Sequence, residues 1–331
     1  MNAQSFPRLL ADVGGTNVRF GSQLDVNGRI THVNSYACAD FETLWEAICH
    51  YLEREGLERP RTAAIGIATP VTGDKVRMTN HHWKFSISAL KHALQLERLL
   101  VLNDFSALAL SLPALQPEEL HKVGGGSAVD GAPIGLVGPG TGLGVAALVP
   151  IPGGDGLIPV AGEGGHVTLG SCEPEEAAVI KVLQAKFGHV SAERALSGPG
   201  LENLYQALAQ VRGTAVPERD AAAITRGAIE DGDPTCDSAL ALFCSLLGHV
   251  AGNVALTLGA RGGLYIGGGI VPRLGDWFDR SAFRESFEAK GRFTSYLHDI
   301  PTFVLRANAE AALLGASRAL DMPMAKHCAG A

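Results

Sequence analysis

The 331-residue chain is poor in charge, with 18% Asp, Glu, Lys and Arg, and poor in aromatics, at 6%. Its formal net charge is −7 and its Lys and Arg residues form no cluster, which excludes a nucleic-acid partner held by phosphate neutralisation. Free nucleotide is not excluded, because backbone N–H groups and a metal ion bind phosphate without any net positive protein charge. The six cysteines, Cys38, Cys49, Cys172, Cys236, Cys244 and Cys328, make no C-x-x-C pair. A chain of this length needs no disulfide staples, so reduced thiols in a cytoplasmic protein are expected. The start lacks the basic n-region and long apolar h-region of a signal peptide. No apolar run is read as reaching the ~18 residues of a membrane helix, so no membrane is expected as a partner. Also missing are G-x-x-x-x-G-K-[ST] and G-x-G-x-x-G, which removes P-loop ATPases and dinucleotide folds.

What the chain has is glycine, 41 residues of it, in a composition that is 46% hydrophobic. That is enough apolar material for substantial cores, and the length suggests two domains sharing one function. The opening, from Arg8 to Gly21, reads as strand, glycine turn, strand, with a third strand over Ile30 to Tyr36 after a turn at Asn27-Gly28. Phe41 to Gly56 has helical apolar spacing, Thr62 to Ala68 is a buried strand, and Ser88 to Leu96 is a helix capped by Ser86 or Ser88. Leu99 to Asp104 is a strand running into polar residues, followed by a helix over Phe105 to Leu112. That is the place where an α/β sheet presents ligand groups.

The second half repeats the theme. Strands over Pro133 to Val137 and Val145 to Val149 flank the turn Gly138 to Gly144. Helices are expected over Glu175–Phe187, Gly200–Ala209, Ala221–Glu230, Asp237–Leu258 and Ala309–Leu320. A short strand enters the triple glycine Gly267 to Gly269, and Thr302 to Leu305 is a last strand. The two strand–glycine–strand hairpins hint at an internal duplication.

Four features carry chemistry. Each glycine turn holds a threonine, and consecutive N–H groups there form an anion nest; Asp12 stands just ahead of the first as a candidate Mg²⁺ partner. Asp104, beside Asn103 at a strand end, either caps the next helix or acts as a general base toward an attacking hydroxyl. Glu163 and His166, three apart and embedded in glycine, suit a metal, a polar core or sugar hydroxyls, and the last explains the pair best. Glu193 reads alone as a surface glutamate or as a fourth polar contact.

Together these segments resemble the bacterial glucokinase family, in the hexokinase branch of the actin-like ATPase fold, over about Leu10 to Leu314. They are Asp12-Val-Gly-Gly-Thr16-Asn17, Met78-Thr-Asn80-His-His-Trp83, Asn103-Asp104-Phe105, Gly140-Thr-Gly-Leu-Gly144, Gly162-Glu-Gly-Gly-His166, Glu193-Arg-Ala-Leu-Ser-Gly198-Pro-Gly200 and Gly267-Gly-Gly-Ile-Val-Pro272. The resemblance implies a two-lobed α/β, ribonuclease H-like fold with its active site in the interlobe cleft. A small domain would span residues 1–112 and 307–331, and a large one 113–306. It implies phosphorylation of D-glucose at the 6-hydroxyl by ATP with Mg²⁺, feeding glycolysis, in a cytoplasmic homodimer.

On that resemblance Asp104 is the base, and Asn103, Glu163, His166 and Glu193 hold the other ring hydroxyls. Ala11, Asp12, Val13, Gly14, Gly15 and Thr16 cradle phosphate, Asp12 positions Mg²⁺ through water, and Gly140 and Thr141 close over the phosphates. Gly267 and Gly268 lie against adenosine. Ala11 departs from the Gly of other members, a small change. A sister family of sugar kinases and repressors carries a cysteine-rich zinc site just past its Glu-x-Gly-His and a helix-turn-helix ahead of the first loop. Here only Cys172 follows His166 and about ten residues precede Asp12, so neither is expected. A non-catalytic sugar sensor on the same fold is the alternative. An ATPase with a protein partner is disfavoured, because it needs no polyhydroxyl pocket.

Overall fold

The structure, a computed structural model, describes residues 5–26, 28–79, 81–154, 156–306 and 308–322. Asn27 of the expected turn, Asn80 of the quoted motif and Cys328 lie outside the described residues. The chain divides into two compact units, Met1–Leu115 with Ala309–Ala331, and Gln116–Asn308.

The first unit is built on strands β1 (Arg8–Val13), β2 (Asn17–Gln23), β3 (Thr31–Ala37), β4 (Thr62–Ile67) and β7 (Arg98–Asn103), in the order β3-β2-β1-β4-β7. The first three are antiparallel neighbours, whereas β1, β4 and β7 run parallel. Strands β5 (Lys75–Arg77) and β6 (Lys84–Ser86) pair apart from that sheet. Helix α1 (Leu44–Arg54) buries Leu44, Ala47, Ile48 and Tyr51, the one-sided spacing that a 3.6-residue repeat demands. It begins three residues later than expected because Thr43 accepts the Glu46 amide and caps it there. Helix α2 (Ile87–Ala93) is capped by Ser86, whose hydroxyl accepts the Ala89 amide. Helix α3 (Asp104–Ser111) follows β7 directly. The helix Asn308–Asp321 returns to this unit, where Leu313, Ala316 and Leu320 pack with Leu10 and Ala64.

The second unit has β8 (Leu120–Val123), β9 (Ile134–Pro139), β10 (Leu143–Pro150), β11 (Leu157–Gly162), β12 (Leu264–Ile266) and β13 (Thr302–Leu305), in the order β11-β10-β9-β12-β13-β8. Here β9, β10 and β11 are antiparallel neighbours, and β9, β12 and β13 run parallel. Five strands of this sheet therefore repeat the order and directions of the first unit's sheet. Its core is helical, formed by α4 (Pro174–Phe187), α5 (Gly198–Val211), α6 (Ala221–Ile229) and α7 (Pro234–Leu258), with short helices at Asp276–Asp279, Phe283–Glu288 and Thr294–His298.

One expectation from the sequence fails at α7. Its 25 residues have a mean hydropathy of 1.8 over an 18-residue window, enough by length and composition to cross a membrane, so an apolar run of that size is present. Its window is 72% buried within the protein, which makes it the central core helix of the second unit.

Candidate active site

In the first unit the expected residues gather at one sheet edge. Because β1, β4 and β7 are parallel, their carboxyl ends, Val13, Ile67 and Asn103, come out side by side. The turn Gly14–Thr16 leaves β1 there and is closed by the Gly14 amide on the Asn17 carbonyl at 2.9 Å. Ala11 and Val13 are buried, while Thr16 is exposed. Asp12 pairs across the hairpin with Arg19, whose guanidinium lies 3.6 Å from its carboxylate. Burial first, and then the nearby charge of Asp104, raise the Asp12 pKa from 3.8 to about 6, against the pull of Arg19. Asp12 thus has both a second carboxylate and a guanidinium within electrostatic reach.

The ambiguity at Asn103-Asp104 is resolved in favour of Asn103 as the cap. Its Oδ1 accepts the amides of Phe105 at 3.0 Å and Ser106 at 3.3 Å, while its side-chain amide is a donor that this cap does not use. Asp104 is the first residue of α3, and its Oδ1 accepts the Phe105 amide at 2.8 Å. That bond orients the carboxylate.

In the second unit the remaining residues converge. Gly164–His166 is one turn of 3₁₀-helix beginning after Glu163, so Glu163 and His166 eclipse one another. His166 Nε2 lies 3.8 Å from Glu163 Oε2, and Nδ1 lies 4.0 Å from Glu193 Oε1. Glu193, from a separate 3₁₀ turn, is held there by an isolated bridge between Thr168 and Ser191 and by its Oε2 accepting the Leu143 amide at 2.9 Å. These separations exceed a hydrogen bond and leave the trio's polar capacity toward solvent. Gly165 is required beneath it, since a Cβ there would drive into the Leu143 carbonyl.

The turn that Leu143 leaves is the expected second phosphate loop. The Gly140 amide donates to the Gly142 carbonyl at 2.8 Å, and the Gly198 amide at the start of α5 donates to the Gly140 carbonyl at 2.8 Å. Thr141 sits at its exposed tip. Gly267 donates to Val137 at 2.8 Å, and Gly268 turns with φ +76° so close to Pro139 that any Cβ would strike its carbonyl. Within this unit, then, the Gly140–Thr141 turn, the Gly267–Gly268 turn and the polar trio are all anchored to the β9–β10 hairpin.

Reasoning from sequence missed two parts. Arg19 faces Asp12, which the hairpin register around Gly14–Thr16 would have disclosed. Ser197 caps α5 by accepting the Gly200 amide at 3.0 Å while donating to the Glu193 carbonyl at 2.8 Å, so one hydroxyl ties the trio to the helix start. Of the quoted motif at Met78–Trp83, the described part is structural: Trp83 is buried and its indole donates to the Phe41 carbonyl at 3.0 Å.

Comparison with known proteins gives the family and the fold. The sequence profile described as Glucokinase matches residues 9–322. A glucokinase of Aromatoleum aromaticum is 53% identical, covering 98% of this chain and 97% of its own length. A glucokinase of Cupriavidus metallidurans is 49% identical, covering 96% and 94%. Among solved structures, a glucokinase from an Antarctic psychrotroph superposes with a TM-score of 0.87 at 36% identity, over 95% of this chain and 98% of that one. The fold is the α/β fold of sugar kinases related to the actin-like ATPases. The chain belongs to the glucokinase family.

Proposed function

We propose that this chain is a cytoplasmic enzyme that transfers the γ-phosphoryl group of ATP to the 6-hydroxyl of D-glucose, giving glucose 6-phosphate and ADP. The observation that carries this reading is the union of Glu163, His166 and Glu193 around 4 Å spacings, with Glu193 fastened to the Gly140–Gly142 turn through the Leu143 amide. Carboxylates that accept hydroxyl protons, and an imidazole that donates or accepts, suit a polyol. A glycine turn with its N–H groups at the same hairpin suits phosphate.

In this reading Asp104 takes the proton of the 6-hydroxyl as that oxygen attacks phosphorus. Its orientation comes from the Phe105 amide. Asn103 offers its side-chain amide, and the trio its carboxylates and imidazole, to the remaining hydroxyls, which fixes the attacking oxygen and excludes water. The Gly14 and Gly140 amides close their own turns, so it is the N–H groups of Gly15, Thr16 and Thr141 that donate to phosphate oxygens, and Gly267 and Gly268 border the adenosine. Phosphoryl transfer through a loose transition state needs this positioning and neutralisation more than covalent chemistry.

The residues fit Mg²⁺. The Asp104 carboxylate is near enough to Asp12 to raise its pKa, and two neighbouring carboxylates suit a hard cation, with Asp12 holding it through water. When bound, the ion offsets the charge of the triphosphate. A panel of hexoses with ATP, read by ADP release, tests the reading. Glucose-dependent ADP release is expected; saturable glucose binding without it would make the chain a sugar-sensing protein instead. The assembly proposed is a homodimer, checked by sedimentation, where a species of one chain's mass would contradict it.

A further inference from the structure

We propose that Cys172 is an activated thiol, set in a Cys172–His249–Glu176 relay, that forms mixed disulfides with low-molecular-weight disulfides. Cys172 lies on the loop between His166 and α4 and is exposed. Its Sγ is 3.5 Å from Nδ1 of His249, a residue in the middle of α7 that is 6% exposed. On the far side of the ring, His249 Nε2 is 3.5 Å from Oε1 of the buried Glu176. A histidine with one nitrogen on a fixed carboxylate presents the other to the thiol, the arrangement by which a nucleophile is activated.

Glu176 is fixed firmly. Its Oε2 accepts the amides of Cys172 at 2.7 Å and Glu173 at 3.2 Å, and its Oε1 accepts the Ser245 hydroxyl at 2.9 Å. Burial alone pushes its carboxyl up, but the bonds from His249, the Cys172 amide, Ser245 and the Glu173 amide outweigh it and bring the pKa to about 2. Glu176 therefore stays charged and fixes the His249 ring from its Nε2 side. Lys290 also faces the cluster; burial lowers its pKa, while Cys172 and Glu176 pull it back. The same three side chains offer metal donors within 4.8 Å of one another. Both oxygens of Glu176 are already engaged, however, which favours thiol activation over a cation. Among the described cysteines Cys172 alone is exposed; burial pushes Cys38 up to about 11 and Cys244 to about 12, which leaves those two inert.

The step balances without further reagents. Sγ–H gives its proton to His249 Nδ1, and the thiolate attacks one sulfur of R–S–S–R. The Sγ–S bond forms as the S–S bond breaks, and the leaving thiolate takes the proton from the imidazolium. Cys172 is oxidised to the mixed disulfide and the leaving sulfur is reduced to R–SH.

The test treats the full chain with oxidised glutathione at pH 7 and follows each cysteine by peptide mass. A free thiol is about 3% ionised at that pH, and a fully ionised one loses part of its gain to lower nucleophilicity. Cys172 should therefore react roughly five- to tenfold faster in the folded protein than in the urea-unfolded chain, while Cys49 reacts more slowly folded than unfolded. His249→Gln should remove the Cys172 acceleration, and Cys172→Ser should abolish the adduct while sugar turnover persists. A folded rate for wild-type Cys172 no greater than the unfolded one overturns the proposal, whether or not His249→Gln folds. Stoichiometric Zn²⁺ binding that needs all three residues overturns it too, in favour of a cation site.

Discussion

Asp12 shows most plainly how a single residue here is held at a cost to stability. Its pKa is about 6 folded against 3.8 for the ordinary group. A folded value above the unfolded one means that the folded state favours the proton, so the stabilisation is complete below about pH 4 and lost as pH rises through 6. Asp12→Asn should therefore raise the urea midpoint at pH 8 by the equivalent of about 1–3 kcal/mol, with the two proteins converging near pH 4. A gain that is the same at both pH values would contradict the electrostatic cause. The neighbouring pair Asn103-Asp104 was only half legible from the sequence. Both residues are good caps, and which one caps depends on where β7 ends, a one-residue matter that no pattern fixes. The strand ends at Asn103, so Asn103 caps and Asp104 opens α3.

At the scale of elements, the strongly patterned pieces were readable and the weakly patterned ones were not. Helix α1 follows from apolar periodicity, strand β4 from its short continuous buried run, and β13 matches Thr302–Leu305. Strand β11 was missed because Pro159 sits inside it; it is tolerated because β11 is a sheet edge. Strand β8 was missed because Leu-His-Lys-Val carries no alternation that outweighs its polar pair. The start of α5 makes a sharper test. Ser197→Ala removes the hydroxyl that accepts Gly200 and holds the Glu193 carbonyl. It should cost about 1 kcal/mol in denaturant melts and raise the KM for glucose with little change in kcat. A loss of stability with an unchanged KM would restrict Ser197 to capping. Gly268→Ala should be harsher, since the left-handed φ and the Pro139 carbonyl both oppose a side chain.

At the scale of the whole molecule, the hint of duplication in the two glycine hairpins corresponds to two sheets with the same five-strand order and directions. The sequence similarity is confined to the turns, because along the strands any apolar residues of suitable size serve. The first unit is discontinuous in the chain. Helix Asn308–Asp321 brings Leu313, Ala316 and Leu320 onto Leu10 and Ala64, and Arg8 is paired with Asp321 at 2.7 Å. Removing the chain from Asn308 onward should leave residues up to 115 open to protease while 116–306 resist; equal resistance would contradict that dependence. The central claim is that Asp104 is the base of a glucose kinase, and Asp104→Asn, with glucose binding measured by calorimetry and turnover by ADP release, tests it most directly. The account predicts binding within a few-fold of wild type and turnover lower by ~10²–10⁴-fold; undiminished turnover would contradict it.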